Sequence, residues 1–260
     1  MVDQVLHFLP DLPEREILDA LNAAAGNEVE SGKLASPESS SALAVNAFGW
    51  FLRRPEALPP LPGLSTAWPA REVRLEAELR FPWSGGRHPW LDAAIVTDTH
   101  LIGIESKRYE PFRSRKKNPG FSDAYDRPVW GDAMTGFCSV RDELKAGSLR
   151  YTSLDAPQLV KHAFGLRSAV HREGGPFQGL KPVLVYLYAE PRAWPDGRPV
   201  DASRVSMHRS ECEHFTQRTA GDEVEFLTLD YVGLVKDWAS GKDPGPALHA
   251  ERLAEAFDIG

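Results

Sequence analysis

Only two of the 260 residues are cysteine, Cys138 and Cys212, so no disulfide framework can be built and a reducing cytoplasm is the expected location. No apolar run approaches the ~20 residues of a membrane span, and no membrane association is expected. The opening "MVDQVLHFLPDLPE" lacks the basic flank and small-residue cleavage site of a secretory leader. Glycine patterns that cradle nucleotide phosphates, G-x-G-x-x-G or G-x-x-x-x-G-K-[ST], are missing. So is a G-x-S-x-G nucleophile elbow. There is no internal repeat and no long low-complexity tract. With 30 Lys and Arg against 37 Asp and Glu, the net charge is −7. That excludes the basic surplus of a nonspecific nucleic-acid coat but leaves room for a local basic surface.

What is present is an ordinary globular composition, 42% hydrophobic and 26% charged. The length suffices for one large domain or two small ones, and no second boundary stands out. "LPEREILDALNAAAG" reads as a first helix. "SPESSSALAVNAFGWFLRR" reads as a second, with Ser36 as cap, Pro37 in its first turn and Glu38 at its positive end. Prolines then break regular structure between Arg53 and Pro69. "REVRLEAELRF" alternates, which predicts a strand with Val73, Leu75, Ala77, Leu79 and Phe81 on one face. "WLDAAIVT" and "HLIGIESKR" are continuous apolar runs, as expected of strands buried on both faces. Two helices follow, one with Met134, Phe137, Val140 and Leu144 inward, the next with Leu159, Val160, Ala163 and Phe164 inward. "KPVLVYLYAEP" reads as a central strand, and the helices before it favour a parallel crossover. From Pro191 onward the chain reads as loop and helix.

The second and third strands carry charge where a buried strand should not: Asp92 in one, Glu105 and Lys107 in the other. Joined as an antiparallel hairpin with Asp98 and Thr99 as a two-residue turn, they place Asp92 directly opposite Glu105. Directly opposed Cβ atoms lie about 4.5–5.5 Å apart. Alternation puts Lys107 on the Glu105 face. A four-residue loop keeps this register, whereas a three-residue loop would put the carboxylates on opposite faces. Two carboxylates meeting on a buried sheet repel each other unless a cation lies between them or one is protonated. Oxygen ligands suit a hard cation such as Mg²⁺, and a neighbouring ammonium can stabilise phosphate charge, a set that fits metal-assisted phosphodiester hydrolysis. The plainer reading is an ion pair of Lys107 with either carboxylate. Glu143-Leu144-Lys145 repeats the Glu-x-Lys pattern inside a helix, where it reads as a solvated face.

The order helix, three antiparallel strands, helix, strand, with Asp92 and "ESK" on the second and third strands, resembles the PD-(D/E)XK nuclease superfamily. "PESSSALAVNAFGWF", "WLDAAIVTDTHLIGIESKRYEPF" and "LDAPQLVKHAFGL" further resemble a bacterial restriction-endonuclease-like group. Leu91 stands where the superfamily name has proline. The resemblance implies an α/β fold with a core of order αβββαβ, its mixed sheet flanked by helices. One nuclease-like domain would span residues 1–260: a core at about 36–191, a helical extension at 1–35 and a helical and loop extension at 192–260. It also implies that Asp92 and Glu105, helped by the Ser106 carbonyl, hold Mg²⁺, with Mn²⁺ able to substitute, and that Lys107 orients water and stabilises the transition state. Glu38 matches the acidic residue that relatives add from the first core helix, though it reads equally as a helix N-terminal carboxylate. Gln158 and Lys161 lie on the polar side of a later helix, within reach of a phosphate or simply solvated.

"SKRYEPFRSRKKNPG" concentrates Arg108, Arg113, Arg115, Lys116 and Lys117 beside this set, as a phosphate backbone requires. The expected partner is nucleic acid, double-stranded DNA first, with a homodimer left open. Rival readings are a non-catalytic nucleic-acid-binding protein of the same fold and an interaction protein with a structural ion pair. His208, Cys212 and His214 offer zinc-type ligands without an apparent fourth.

Overall fold

A computed structural model of the chain describes residues 8–24, 32–83, 85–113 and 120–260. In chain order it contains α1 (Glu14–Ala23), α2 (Ser40–Gly49), β1 (Ala70–Glu78), β2 (Trp90–Thr97), β3 (His100–Lys107), α3 (Thr135–Ala146) and α4 (Ala156–Val170). These are followed by β4 (Lys181–Tyr188), α5 (Ala202–Thr219), β5 (Glu225–Asp230), α6 (Tyr231–Ala239) and α7 (Pro244–Phe257). The strands form one mixed sheet in the order β1-β2-β3-β4-β5. Pairing is antiparallel from β1 to β3 and parallel from β3 to β5. Helices cover both faces. Apolar residues of α1, α2, α6 and α7 join one core, and those of α3, α4 and α5 join the other. This is the restriction-endonuclease-like architecture, its core order αβββαβ supplied by α2, β1, β2, β3, α4 and β4, with α3 as an additional helix before α4. Among the described residues no helix is long and apolar enough to cross a membrane.

The β2–β3 hairpin has the register expected from a two-residue link. Ala93 pairs with Ile104 and Val96 with Leu101. The ladder ends at Ala93–Ile104, and Asp92 reaches β3 beyond it through its side chain, which accepts the Ser106 N–H. Asp-Thr is not a favoured hairpin turn, and a side chain makes up the difference. Thr97 Oγ1 accepts the N–H groups of Thr99 at 3.2 Å and His100 at 2.9 Å.

Three features differ from the sequence reading. α2 begins at Ser40, and its cap is Ser39, whose Oγ accepts the Ala42 N–H at 3.0 Å. Ser36 instead accepts the Glu38 N–H at 3.3 Å, so Pro37 and Glu38 form a turn before the helix. β1 does not keep one apolar face. Val73 and Leu75 join the α1/α2 core, whereas Leu79 and Phe81 join the α3/α4 core. Between them Glu76 takes a left-handed backbone, φ +47°, which reverses the alternation. Finally, the segment after Pro191 contributes β5, which extends the sheet beyond β4.

Two glycines make room where α4 packs on the sheet. A Cβ on Gly103 would come within 2.5 Å of Leu91 Cδ1 and 3.2 Å of Leu166. One on Gly165 would come within 2.8 Å of Leu79 Cβ. Gly103→Ala should therefore lose about 1–3 kcal/mol by overpacking and lift the helix from β3. A urea midpoint unchanged from wild type would show that the contact has slack.

Candidate active site

The Gly103–Leu166 contact sets the spacing of everything toward the end of β3. One turn of α4 back from Leu166 is His162, a step of about 6 Å. Two residues along β3 from Gly103 is Glu105, a step of roughly 6.6 Å. The two therefore meet: His162 Nε2 lies 2.9 Å from Glu105 Oε2. The next matching step puts Gln158 beside Lys107, and both line a groove of about 280 Å³ with Arg113, Ser153, Asp155 and Tyr186. Asp155 caps α4 by accepting the Gln158 N–H at 3.1 Å. His162 sits among the buried residues of α4, and only its partner on β3 reveals it.

Glu105 is buried and engaged through both oxygens, Oε1 by the Lys107 ammonium and Oε2 by His162. Burial pushes its carboxyl up, but Lys107 and then His162 overcome that and bring it down to about 2. Asp92 is half-buried, and its Oδ2 accepts the Ser106 N–H at 2.7 Å. Burial first, and then repulsion from Glu105, hold the Asp92 carboxyl well above the usual range; Lys107 only partly offsets this. Glu76 adds to the repulsion, since the pairs Leu75–Ala93 and Ala77–Leu91 set it across from Asp92. Lys107 is raised above the ordinary ammonium value: burial opposes the charge, but Glu105, Asp92 and Glu110 outweigh it.

Glu110 is a further acidic neighbour that the sequence did not single out. Its Oε1 accepts from Ser40 Oγ at 2.5 Å and its Oε2 accepts the Arg108 N–H at 2.8 Å. It thereby ties the end of β3 to the start of α2. Ser106 turns its side chain the other way. Its Oγ lies 2.8 Å from the Tyr231 hydroxyl and donates to the Ser40 carbonyl at 3.4 Å.

The remaining sequence candidates are distributed unevenly. Glu38 forms an ion pair with Arg113, and among the described residues it touches none of Asp92, Glu105 and Lys107. Arg113 is exposed, at the groove rim. Arg108, expected to contact phosphate, is instead buried, with its guanidinium held by the carbonyls of Pro37 and Phe257. Arg115, Lys116 and Lys117 lie outside the described residues. Lys161 reaches the Gly120 carbonyl at 3.4 Å and sits over Phe121 and Tyr125, at the far end of the basic segment. His208 and Cys212 face each other at 3.5 Å, but His214 bonds Tyr151 instead. Among the described residues no three His, Cys, Asp or Glu side chains stand close enough to hold a metal ion by themselves.

Compared with protein-family models, characterised proteins and solved structures, the chain gives no match.

Proposed function

We propose that the chain is a Mg²⁺-dependent nuclease of the PD-(D/E)XK type that hydrolyses phosphodiester bonds of double-stranded DNA, with Mn²⁺ able to replace Mg²⁺. The observation that carries this reading is the Asp92–Glu105–Lys107 cluster on an αβββαβ core. Two adjacent carboxylates and an ammonium, Glu105 buried and Asp92 and Lys107 partly so, have no need to meet in a sheet that could be closed with apolar residues.

The donor set fits Mg²⁺. Such an ion is commonly held by one or two carboxylates, with water and substrate phosphate completing its shell. That no third protein ligand stands there among the described residues is thus compatible with it, and Asp92, repelled by Glu105, lacks a full countercharge. Bound there, the ion would polarise the phosphoryl group and favour ionisation of water. The chain's own residues do the rest. Lys107 places a positive charge where the phosphoryl oxygens gain negative charge. Gln158 fixes a phosphate oxygen in the groove. Arg113, with Arg115, Lys116 and Lys117, draws in the backbone.

The cleavage test is incubation of the full chain with plasmid DNA, linear DNA and RNA, in Mg²⁺ and in chelator. Cleavage confined to Mg²⁺ supports the reading, and intact substrates under all conditions reject it. For binding, neutralising Arg113, Arg115, Lys116 and Lys117 together should flatten the salt dependence. Each lost phosphate contact lowers the log–log slope by about 0.9 for duplex DNA. An unchanged slope would remove this segment from the interface.

A second reading is favoured by one observation: Glu105 already has both oxygens engaged, by Lys107 and His162. On that reading the cluster is a structural ion pair in a protein that binds nucleic acid without cutting it. Divalent-cation binding separates the two readings.

A further inference from the structure

A cavity of about 530 Å³ is lined by Glu76, Glu78, Arg87, His88 and Trp90, and its Glu76 lies across the β1–β2 ladder from Asp92. Its volume is within the range of small-ligand pockets. Trp90 is half-buried, and among the described residues its ring stacks on no other ring and sits under no cation. Glu78 pairs directly with Trp90 across the β1–β2 ladder. It binds Arg80 Nε through Oε2 at 2.8 Å, which leaves Oε1 able to accept. His88 Nδ1 accepts the Phe81 N–H at 3.2 Å, so the neutral ring carries its proton on Nε2 and can donate. Arg87 is exposed at the rim. The pocket thus combines a flat aromatic wall, a carboxylate acceptor, a ring N–H donor and a cation. Trp90 precedes Asp92 by two residues, roughly 7 Å along the strand.

We infer that this cavity receives one unpaired nucleobase of the substrate, next to the bond cleaved at Asp92 and Glu105, and that it favours a base bearing an exocyclic amino group. Trp90 stacks on the base, Arg87 meets its phosphate, and Glu78 accepts from the amino group while His88 donates to the adjacent ring nitrogen. Cytosine and adenine present that donor–acceptor pair. Thymine presents a carbonyl oxygen where the amine would be, against a carboxylate that can only accept. The inference rests on the nuclease reading and adds to it a preference for duplexes with an extruded base.

Anisotropy measurements on the full chain, in chelator so that nothing is cut, test it with four labelled duplexes. One is fully paired, and the others carry a single unpaired dC, dA or dT. The dC and dA duplexes should bind about ten-fold more tightly than the other two, the scale of one base–aromatic stack. Trp90→Ala should erase that gain and leave the paired duplex unaffected. Trp90→Phe should keep most of it, and Glu78→Gln should level dC with dT. Equal binding of all four duplexes overturns the pocket and leaves the nuclease reading standing. A preference that survives in Trp90→Ala, with a wild-type melting curve, also overturns it. Failure to bind any duplex removes the nuclease reading and the pocket together.

Discussion

Lys107→Ala is expected to lower single-turnover cleavage by about 10²-fold or more, the scale for losing a preorganised charge that stabilises a transition state. Divalent-cation affinity should be kept or rise. Lys107 occupies Glu105 Oε1, and its removal frees that oxygen and takes a positive charge away from the site. DNA affinity should fall little, because the basic segment remains. The substitution also has a structural cost. Glu105 is buried and keeps only His162, and breaking a buried pair by removing one partner typically costs about 3–5 kcal/mol. Cleavage must therefore be compared below the variant's melting temperature, with Lys107→Gln as a less disruptive second case. Loss of cation binding in both variants would make Lys107 a scaffold for the carboxylates. Full cleavage by either would reduce it to an ion-pair partner.

Asp92→Asn should stabilise the protein in chelator at neutral pH while abolishing cleavage. The sign follows from the direction of the shift. Asp92 is raised above its ordinary 3.8, so the folded state holds this proton more tightly than the unfolded chain does. Its contribution worsens as pH rises from 3.8 through the folded value, and asparagine, which can still accept the Ser106 N–H, removes the penalty. Glu105 acts oppositely. Its folded value of about 2 lies below the ordinary 4.5, so its stabilisation is present above 4.5 and is lost as pH falls toward 2. Adding Mg²⁺ to the wild type should reverse the ranking. A ligand at 100 times its Kd contributes about 2.7 kcal/mol, or roughly 5–10 °C in Tm at 2–4 °C per kcal/mol. Asp92→Asn should lose that shift. An unstabilised Asp92→Asn protein that still gains the full Mg²⁺ shift would place the cation elsewhere.

The parts of the fold that were legible in the sequence depend on local pattern. The Asp98–Thr99 link and the apolar runs around it were enough to set the β2–β3 register, which brings Asp92 and Glu105 close enough to repel each other. The inward stripes of α3 and α4 followed from helical spacing, and the helices before β4 implied its parallel crossover. The parts that were missed depend on distant partners or on backbone states that residue type does not dictate. Nothing in Glu76 encodes a left-handed conformation, yet it turns the faces of β1. Ser36 and Ser39 are equally good caps, and the turn at Pro37 decides between them. β5 is six residues long with charged ends, too short to stand out from the loops around it. Arg108 reads as a phosphate ligand until the carbonyls of Pro37 and Phe257, 71 and 149 residues away, are seen to hold it. His162 and Glu110 enter the site through contacts that alternation and helical periodicity do not report.

The central claim is that Asp92 and Glu105 hold a cation at which a phosphodiester is hydrolysed. The most direct measurement compares DNA cleaved in Mg²⁺ by the wild type and by Glu105→Gln, reading the chemistry of the new ends. The wild type should leave 5′-phosphates and 3′-hydroxyls that ligase joins without prior kinase treatment, and Glu105→Gln should leave the DNA intact. Equal cleavage by both proteins, or none by the wild type, would contradict the account.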